Sequence, residues 1–418
     1  MSETAHPQAF GARPNPVPAP VRSLADLADD PAVQAGLAFF GREKRWINEQ
    51  HLEVCRVPAP TFREQQRADH LAAAFREIGQ LARIDEAGNV VVPITLAGDA
   101  PFLAVSAHMD TVLAPREPGD IHLRSDGMFE GPGVTDNGSG LAALLALVRV
   151  LEPGRLPPHL RRNILLIANV AEEGEGNLHG MNYLCRHSPF HSMIEGYLVL
   201  DGASTGHITA EALGSRRFEI VIEGSGGHSW NDFGCANPVH ALGRAVAFLA
   251  DMQLPQSPRT TLSVGVIEGG SGVNSIAPVA RAKVDIRSRS NAAMQTVVEA
   301  MQRLVTRAVE VENRGASDRL SGYKIREIGF RPAAAAIDHN PLVECLRSID
   351  AFLGIQSRLD CASTDANVPL SLGRPAVAIG AGGRGGGAHS PSEWYSPEGR
   401  ELGLQRIFLA IASLITRP

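Results

Sequence analysis

Residues 161–177 form the stretch RRNILLIANVAEEGEGN. Its aliphatic run is typical of a strand that is covered on both faces, as in a parallel sheet flanked by helices. The run ends in two adjacent carboxylates, Glu172 and Glu173, followed by Gly174. Neighbouring residues of a regular strand point to opposite faces, so both carboxylates can serve one site only if the strand ends there and Gly174 and Gly176 turn the chain.

The same pattern of a buried strand followed by polar residues recurs along the chain. It is found in FLAVSAHMD (102–110), GYLVLDGA (196–203) and, with a glycine-rich end, PAVAIGAGG (375–383). Helical periodicity precedes the first of these strands over 33–55 and 62–79, separates later ones in GPGVTDNGSGLAALLALVRVL and over 341–353, and follows the last over 398–416. This alternation predicts an α/β fold with a mainly parallel sheet and helices on both faces, where ligands bind beyond the carboxyl ends of the strands.

A different pattern occupies residues 213–328. Strand and helix signals follow in the order β-α-β-β-α-β, which is the order of a ferredoxin-like α+β domain. We therefore predict that residues 213–328 form an inserted lid and dimerisation domain. The catalytic domain would consist of residues 31–212 and 329–418, preceded by a loosely attached Pro-rich arm over residues 1–30.

Composition excludes several classes of protein. The 418 residues carry a net charge of −6 without a basic run, which argues against a nucleic-acid partner. No apolar run reaches the roughly 18 residues that span a bilayer, and the Pro-rich start lacks the apolar core of a signal peptide. The five cysteines are scattered and odd in number, which favours free thiols and a cytoplasmic location.

The polar residues at the strand ends are histidines and carboxylates, the ligand types of zinc and of harder divalent metals. Alone, each has an ordinary interpretation: Asp136 could cap a helix, and Asp201 could belong to a turn. Taken together they suffice for two metal ions, with three protein ligands each if one carboxylate bridges. The candidate ligands are His108, Asp136, Glu173, Asp201 and His389.

Five segments carry a resemblance to a known family, and they come in the family's order. They are HMDTV, GPGVTDNGSG, EEGEG, LDG and GGAHSPSE, spread over roughly residues 100–400. The chain resembles the dinuclear zinc metallohydrolases that include peptidase T, glutamate carboxypeptidase, aminoacylase and succinyl-diaminopimelate desuccinylase. Each motif is short, but the ordered set around an inserted ferredoxin-like domain is specific.

The resemblance implies a role for each position of the metal site. Asp136 would bridge two divalent ions, most often Zn²⁺, although Co²⁺ and Mn²⁺ suit the same ligands. His108 and Asp201 would complete one metal site, and Glu173 and His389 the other. Asp110 would orient the imidazole of His108. Glu172 would act as the general base on a metal-bound water.

The inserted domain also supplies residues by resemblance. His228, in GSGGHSW, would reach across a homodimer interface to the oxyanion, while Asn274 and Arg287 would contact the substrate. Two features depart from the family pattern or are unusual. Ala171 replaces an aspartate that often precedes the glutamate pair, and the stretch GAGGRGGGAHS, which contains Arg384, is rich in glycine.

The sequence thus predicts a hydrolase that cleaves an amide bond in a small peptide or an N-acyl amino acid. One alternative within the family is an amidohydrolase or deaminase of a small, possibly aromatic, non-peptide substrate. A nucleotide-dependent α/β enzyme is disfavoured because none of the three lysines lies in a phosphate-binding loop. A non-catalytic interaction module is disfavoured because the base and all the ligands are present.

Overall fold

The computed structural model of the chain describes residues 23–152, 156–157 and 159–416. Its helices follow in chain order: α1 (Leu24–Ala28), α2 (Pro31–Arg42), α3 (Lys44–Arg56), α4 (Gln65–Glu77), α5 (Gly138–Val148), α6 (His179–Arg186), α7 (Pro238–Ala250), α8 (Asn291–Asn313), α9 (Pro341–Leu353), α10 (Asn367–Ser371) and α11 (Arg400–Thr416). No helix among these residues is both long and apolar enough to cross a membrane.

The strands are distributed over both parts of the chain. They are β1 (Arg83–Ile84), β2 (Val90–Ile94), β3 (Phe102–His108), β4 (His122–Leu123), β5 (Phe129–Glu130), β6 (Asn163–Asn169), β7 (Ile194–Leu200), β8 (His207–Ala212), β9 (Gly214–Glu223), β10 (Gly227–His228), β11 (Thr260–Gly269), β12 (Ser275–Ile276), β13 (Val279–Ser288), β14 (Gly322–Arg331), β15 (Arg358–Ala362), β16 (Ala376–Ile379), β17 (Arg384–Gly386) and β18 (Trp394–Ser396).

The main sheet has the strand order β1-β2-β6-β3-β7-β16-β8-β15 within the described residues. Its centre is parallel: β3 pairs with both β6 and β7, and β7 pairs with β16. Antiparallel pairing occurs between β2 and β6 and between β16 and β8. The prediction of a mainly parallel sheet is confirmed, and the parallel centre brings the ends of β3, β6 and β7 to one edge.

Both faces of the main sheet are covered, which explains why residues 164–168 in the interior of β6 are all apolar. Leu165 and Ile167 pack in a buried cluster with side chains of α6 and α10. Ile164 and Leu166 pack on the opposite face with α5 and α11. Alternate residues of a strand point to opposite faces, so each β6 side chain meets a helical layer.

The inserted part forms an antiparallel sheet with the order β11-β13-β9-β14, and α7 and α8 pack on one of its faces. In chain order these strands are arranged 2-3-1-4, so the predicted ferredoxin-like insertion is confirmed. Its core is separate from that of the main sheet and includes Ile220, Val284 and Met301. The other sheet face is polar and is turned toward the cleft described below.

Several local predictions differ from the structure. The helix expected over residues 33–55 is two helices, α2 and α3, which meet at Glu43. The strands β1, β2, β8 and β15 of the main sheet were not predicted. Most of the predicted arm lies in residues 1–22, outside the described residues, but α1 is already folded with Leu27 buried in the core. Finally, β14 runs past the predicted domain boundary at residue 328.

Candidate metal and substrate site

The strand ends converge on one cleft with a volume of about 280 Å³. His108 ends β3, the glutamate pair follows β6, and Asp201 follows β7. His389 comes from the loop between β17 and β18, which belong to a small antiparallel sheet beside the main one. The volume lies near the lower end of the roughly 300–1,000 Å³ usual for ligand pockets, which suits a small substrate.

Two sets of candidate ligand atoms share one carboxylate. Atoms of His108, Asp136 and Asp201 lie within 4.8 Å of one another, and so do atoms of Asp136, Glu173 and His389. Asp136 joins the sets: its Oδ1 lies 3.0 Å from Nε2 of His108, and its Oδ2 lies 3.1 Å from Nε2 of His389. The structure therefore brings together all five residues that the sequence singled out as candidate ligands.

Asp110 is buried between His108 and the glutamate pair. Nδ1 of His108 lies 3.0 Å from the backbone carbonyl oxygen of Asp110 and 3.5 Å from one of its carboxylate oxygens, so Asp110 contacts the imidazole through both groups. The same carboxylate accepts the backbone N–H groups of Glu172 and Glu173, each at 2.9 Å. Asp110 thus also fixes the turn that follows β6, a contact that the sequence did not suggest.

The turn at the glutamate pair differs in detail from the prediction. Strand β6 ends at Asn169, and Ala171 (φ 54°) and Gly174 (φ 49°) adopt left-handed backbone conformations on either side of the pair. Gly176 has no such conformation. It is instead packed so closely that an added Cβ would lie 2.6 Å from the carbonyl oxygen of Ala171. Two left-handed residues therefore redirect the chain, and both carboxylates reach the cleft.

Glu393 supports the loop that carries Asp136. Its carboxylate accepts the backbone N–H groups of Gly133, Thr135 and Asp136 at 2.7–2.9 Å and is itself buried. Glu393 lies in the quoted segment GGAHSPSE, but no role was predicted for it. Asn137, and not Asp136, caps the N-terminus of α5. The side chain of Asp136 instead lines the cleft.

The electrostatics of the cleft favour bound cations. Burial, reinforced by the negative charge of Asp136, raises the pKa of Asp201 to about 7. Hydrogen bonds to Asp136 and Glu173 raise the pKa of His389 to about 10. Carboxylates that lie this close together repel one another when they are ionised. A bound divalent ion removes this repulsion, because it becomes the largest local charge. The donor set therefore fits two divalent metal ions.

Arg331 is a site residue that the sequence analysis missed. It is buried at the end of β14, where its Nη1 donates to Oε1 of Glu172 at 2.8 Å and its Nη2 to the Glu172 carbonyl oxygen. Burial raises the pKa of Glu172 well above its usual value, and the charge of Arg331 opposes that rise. An arginine at the end of a predicted lid strand was the only available signal, and it is a weak one.

Only some of the residues predicted from the inserted domain line the cleft. Arg287, predicted to contact the substrate, lines the cleft beside Arg217, for which no role was predicted. His228 and Asn274 lie elsewhere, next to each other, with Ser229 N–H donating to the Asn274 carbonyl oxygen at 3.0 Å. Both are exposed and outside the cleft lining of this single chain. Arg384 also lies outside the lining, 3.2 Å from Glu398.

Comparison with known proteins agrees with this architecture. Residues 104–412 match the profile of Peptidase family M20/M25/M40. The chain belongs to this family. The match spans both the main sheet and the inserted domain, and it includes every candidate ligand. The resemblance inferred from the five segments is confirmed, and the protein is a hydrolase of the M20/M25/M40 family.

Individual relatives of the M20/M25/M40 family are distant in sequence. The protein YqjE of Bacillus subtilis (strain 168) is 24% identical over 358 residues, which cover 81% of this chain and 91% of YqjE. A tripeptidase from Staphylococcus aureus subsp. aureus Mu50 superposes with a TM-score of 0.69 at 20% identity, covering 89% of this chain and 98% of its own. An amidase of the hydantoinase/carbamoylase family from Burkholderia vietnamiensis superposes with a TM-score of 0.68 at 16% sequence identity. The superposition covers 90% of this chain and 98% of the amidase. These similarities establish the shared fold.

Proposed function

We propose that this M20/M25/M40 hydrolase uses two divalent metal ions to cleave the amide bond of a small peptide or an N-acyl amino acid. The observation that carries the proposal is the shared position of Asp136. It lies between a set formed with His108 and Asp201 and a set formed with Glu173 and His389. One bridging carboxylate with two ligands on either side is what a pair of metal ions requires.

Asp136, His108 and Asp201 would hold one ion, and Asp136, Glu173 and His389 the other. Such ions, when bound, polarise a carbonyl oxygen and make water more acidic. Zinc is the metal we favour, while cobalt and manganese accept the same mixture of imidazole and carboxylate. Metal analysis of the active protein would contradict the bridged pair if it found fewer than two equivalents.

Glu172 is the residue left for proton transfer. It lies beside the ligand Glu173, but its carboxylate is paired with Arg331. In the proposed reaction Glu172 accepts a proton from the attacking water and later delivers it to the amine that leaves. Arg331 would orient the carboxylate, because it donates to both the side chain and the backbone of Glu172, and its positive charge would counter the effect of burial on the Glu172 pKa.

We also propose a homodimer formed through the inserted domain. β11 is an edge strand, and Ile267 on it, like Trp230 and Phe233 after β10, is an exposed apolar side chain. Exposed edges and apolar patches are common sites of association. A partner subunit could then supply His228 for the oxyanion and Asn274 for the substrate.

The oligomeric state is directly measurable. Light scattering is expected to give about twice the 44.5 kDa mass of one chain. Ile267→Glu is expected to yield monomers by placing a charge in the interface, whereas Leu81→Glu, an exposed site in the catalytic part, should not. A wild-type monomer at micromolar concentration would contradict the dimer. It would also remove the proposed route for His228.

The choice of substrate is tested by a hydrolysis screen with the zinc-loaded protein. Dipeptides, tripeptides and N-acyl amino acids test the main proposal. N-carbamoyl amino acids and aromatic amides test the alternative of a non-peptide amidohydrolase, which the shared fold with the Burkholderia amidase favours. Activity should disappear on metal removal with a chelator and return with zinc. Activity that survives complete metal removal would refute the proposal.

The cytoplasmic location stays a prediction. Its support is that the cysteines at positions 55, 185, 235 and 361 are free thiols, as in a reducing compartment. Cell fractionation followed by detection with an antibody to the protein would test this prediction. Protein found outside the cytoplasmic fraction would contradict it.

A further inference from the structure

Two chain crossings join the inserted domain to the main sheet, and they lie side by side. The first crossing, residues 212–214, leads from β8 into β9, and the second, residues 331–334, leaves β14. Ala212 and Ala334 form an antiparallel bridge between the crossings. The Ala212 N–H donates to the Ala334 carbonyl oxygen at 2.9 Å, and the reverse hydrogen bond measures 3.2 Å. Any change in the orientation of the inserted domain therefore involves both crossings together.

Asn367 contacts both crossings. It is the first residue of α10, and it is fully buried. Its Nδ2 donates to the carbonyl oxygen of Leu213 in the first crossing at 2.8 Å, and to that of Pro332 in the second crossing at 3.0 Å. Its Oδ1 accepts the backbone N–H of Thr364 at 3.0 Å. Both hydrogens of the side-chain amide are therefore used, one on each crossing.

Asn367 is anchored to the main domain. Val368 of α10 is buried in the same apolar cluster as Ile167 of β6. Oδ2 of Asp365, two residues before Asn367, accepts a hydrogen bond from Nδ2 of Asn169, the last residue of β6, at 2.7 Å. The strand that leads to the glutamate pair thus sets the position of Asn367, and Asn367 in turn holds both crossings.

The second crossing begins at Arg331, the partner of Glu172. Arg331 ends β14 of the inserted sheet, whereas Glu172 follows β6 of the main sheet, so their hydrogen bond of 2.8 Å joins the two domains. The geometry of this bond depends on how the crossings orient the inserted domain. Asn367 donates to Pro332, directly after Arg331, but it is not among the residues that line the cleft. It can therefore influence the ion pair without touching a substrate.

We propose that Asn367 is a positioning residue: it holds the two crossings together and thereby keeps Arg331 in contact with Glu172. The inference rests on the proposed function and deepens it, because Glu172 is the base of the proposed reaction. Without the amide, the carbonyl oxygens of both crossings lose a hydrogen-bond donor, and the crossings are held less firmly. A displacement of about 1 Å around a catalytic group can lower the rate about 100-fold.

Hydrogen exchange of the full-length, zinc-loaded protein tests the hold on the crossings without turnover. In Asn367→Ala, the amide hydrogens of Ala212 and Ala334 are expected to exchange at least about tenfold faster than in the wild type, because the bridge between the crossings opens more often. The amide hydrogens of β3, inside the main sheet, should exchange at the wild-type rate. If Asn367→Ala does not fold, Asn367→Ser takes its place with the same expected result, since one short hydroxyl cannot donate to both crossings.

Asn340→Ala is the matched control. Asn340 is also buried, its Nδ2 donates to the carbonyl oxygen of Ala376 at 3.1 Å, and its Oδ1 accepts the N–H of Leu342 at 3.1 Å. These side-chain hydrogen bonds are of the same kind as those of Asn367 but involve neither crossing. Both variants should lower the melting temperature, whereas only Asn367→Ala should speed exchange at the crossings and slow hydrolysis.

A double-mutant cycle tests whether Asn367 acts through Arg331. With the best substrate of the screen, Asn367→Ala and Arg331→Gln are each expected to lower kcat about 10- to 100-fold at unchanged zinc content. The double variant should be slower than Arg331→Gln by no more than about threefold, because the contact that Asn367 supports is already lost. A merely structural role of Asn367 would lower kcat by the same factor in both backgrounds.

Three results would overturn the proposal. The first is wild-type exchange at the crossings in the Asn367 variant, which would show that the amide does not hold them. The second is a wild-type kcat in that variant, and the third is a further loss of kcat beyond threefold in the double variant. Failure of the hydrolysis screen, in contrast, would refute the proposed function, and the exchange experiment would still decide whether Asn367 holds the crossings.

Discussion

Replacing Glu172 by glutamine is expected to lower kcat by about 10²–10⁴-fold while both metal ions stay bound. The amide of glutamine has nearly the shape of the carboxylate but cannot accept the proton of the attacking water. The five candidate ligands are untouched by the change. Zinc content by elemental analysis, measured beside the rate of hydrolysis of the best substrate from the screen, checks both halves of the expectation.

A matched control lies three residues further along the chain. Glu175 is exposed and pairs with Lys283 on the inserted domain. Glu175→Gln makes the same chemical change on the same loop and should stay within a few-fold of wild-type activity, because surface ion pairs contribute little. A Glu172→Gln enzyme with full activity would show that Glu172 is not the general base. Loss of one zinc ion from Glu172→Gln would instead indicate that Glu172 is a metal ligand. Its carboxylate lies close enough to ligand atoms of His108 and Glu173 for that role.

Replacing Asp136 by asparagine is expected to reduce bound zinc from two equivalents to fewer than one and to abolish measurable hydrolysis. Asp136 contacts both His108 and His389, so its charge is needed on both sides of the pair. Burial would raise the pKa of Asp136, but the hydrogen bonds from the two histidines hold it below its usual value. The carboxylate is therefore ionised and ready for cations.

Thermal unfolding gives an independent measure of this loss. A ligand that binds only the folded state raises the melting temperature. Zinc should therefore stabilise the metal-free wild type but have little effect on Asp136→Asn. Asp126→Asn is a suitable control, since Asp126 is exposed and pairs with Arg124 away from the cleft. An Asp136→Asn protein that is active with two zinc ions would show that another group bridges them.

Much of the site was readable because its residues follow strand ends. Parallel strands of one sheet expose their carboxyl ends at the same edge, so chain segments far apart in sequence could be expected to meet. His108, the glutamate pair and Asp201 were found in this way, and the family match supports the same segments. The metal-ligand and catalytic roles of these residues remain predictions that the variants above test.

Other parts of the site left little trace in the sequence. Arg217 and Arg331 were two of many arginines on predicted lid strands, and only the register of β9, β13 and β14 brings them to one face with Arg287. Glu393 stood in a quoted motif, but its support of the Asp136 loop depends on three backbone N–H groups far away in the chain. His228 was chosen by resemblance alone, and a single chain leaves it outside the cleft.

The inserted domain, the mainly parallel sheet and the set of histidines and carboxylates at its edge could all be predicted from the amino-acid sequence. The reason is that periodicity and strand ends are local properties of the chain. Three features could be seen only in the folded chain: the form of the turn after β6, the pairing of Arg331 with Glu172, and the sharing of Asp285 by Arg217 and Arg287. Those outcomes depend on backbone angles and on contacts across 68–159 residues of sequence, which no local pattern encodes.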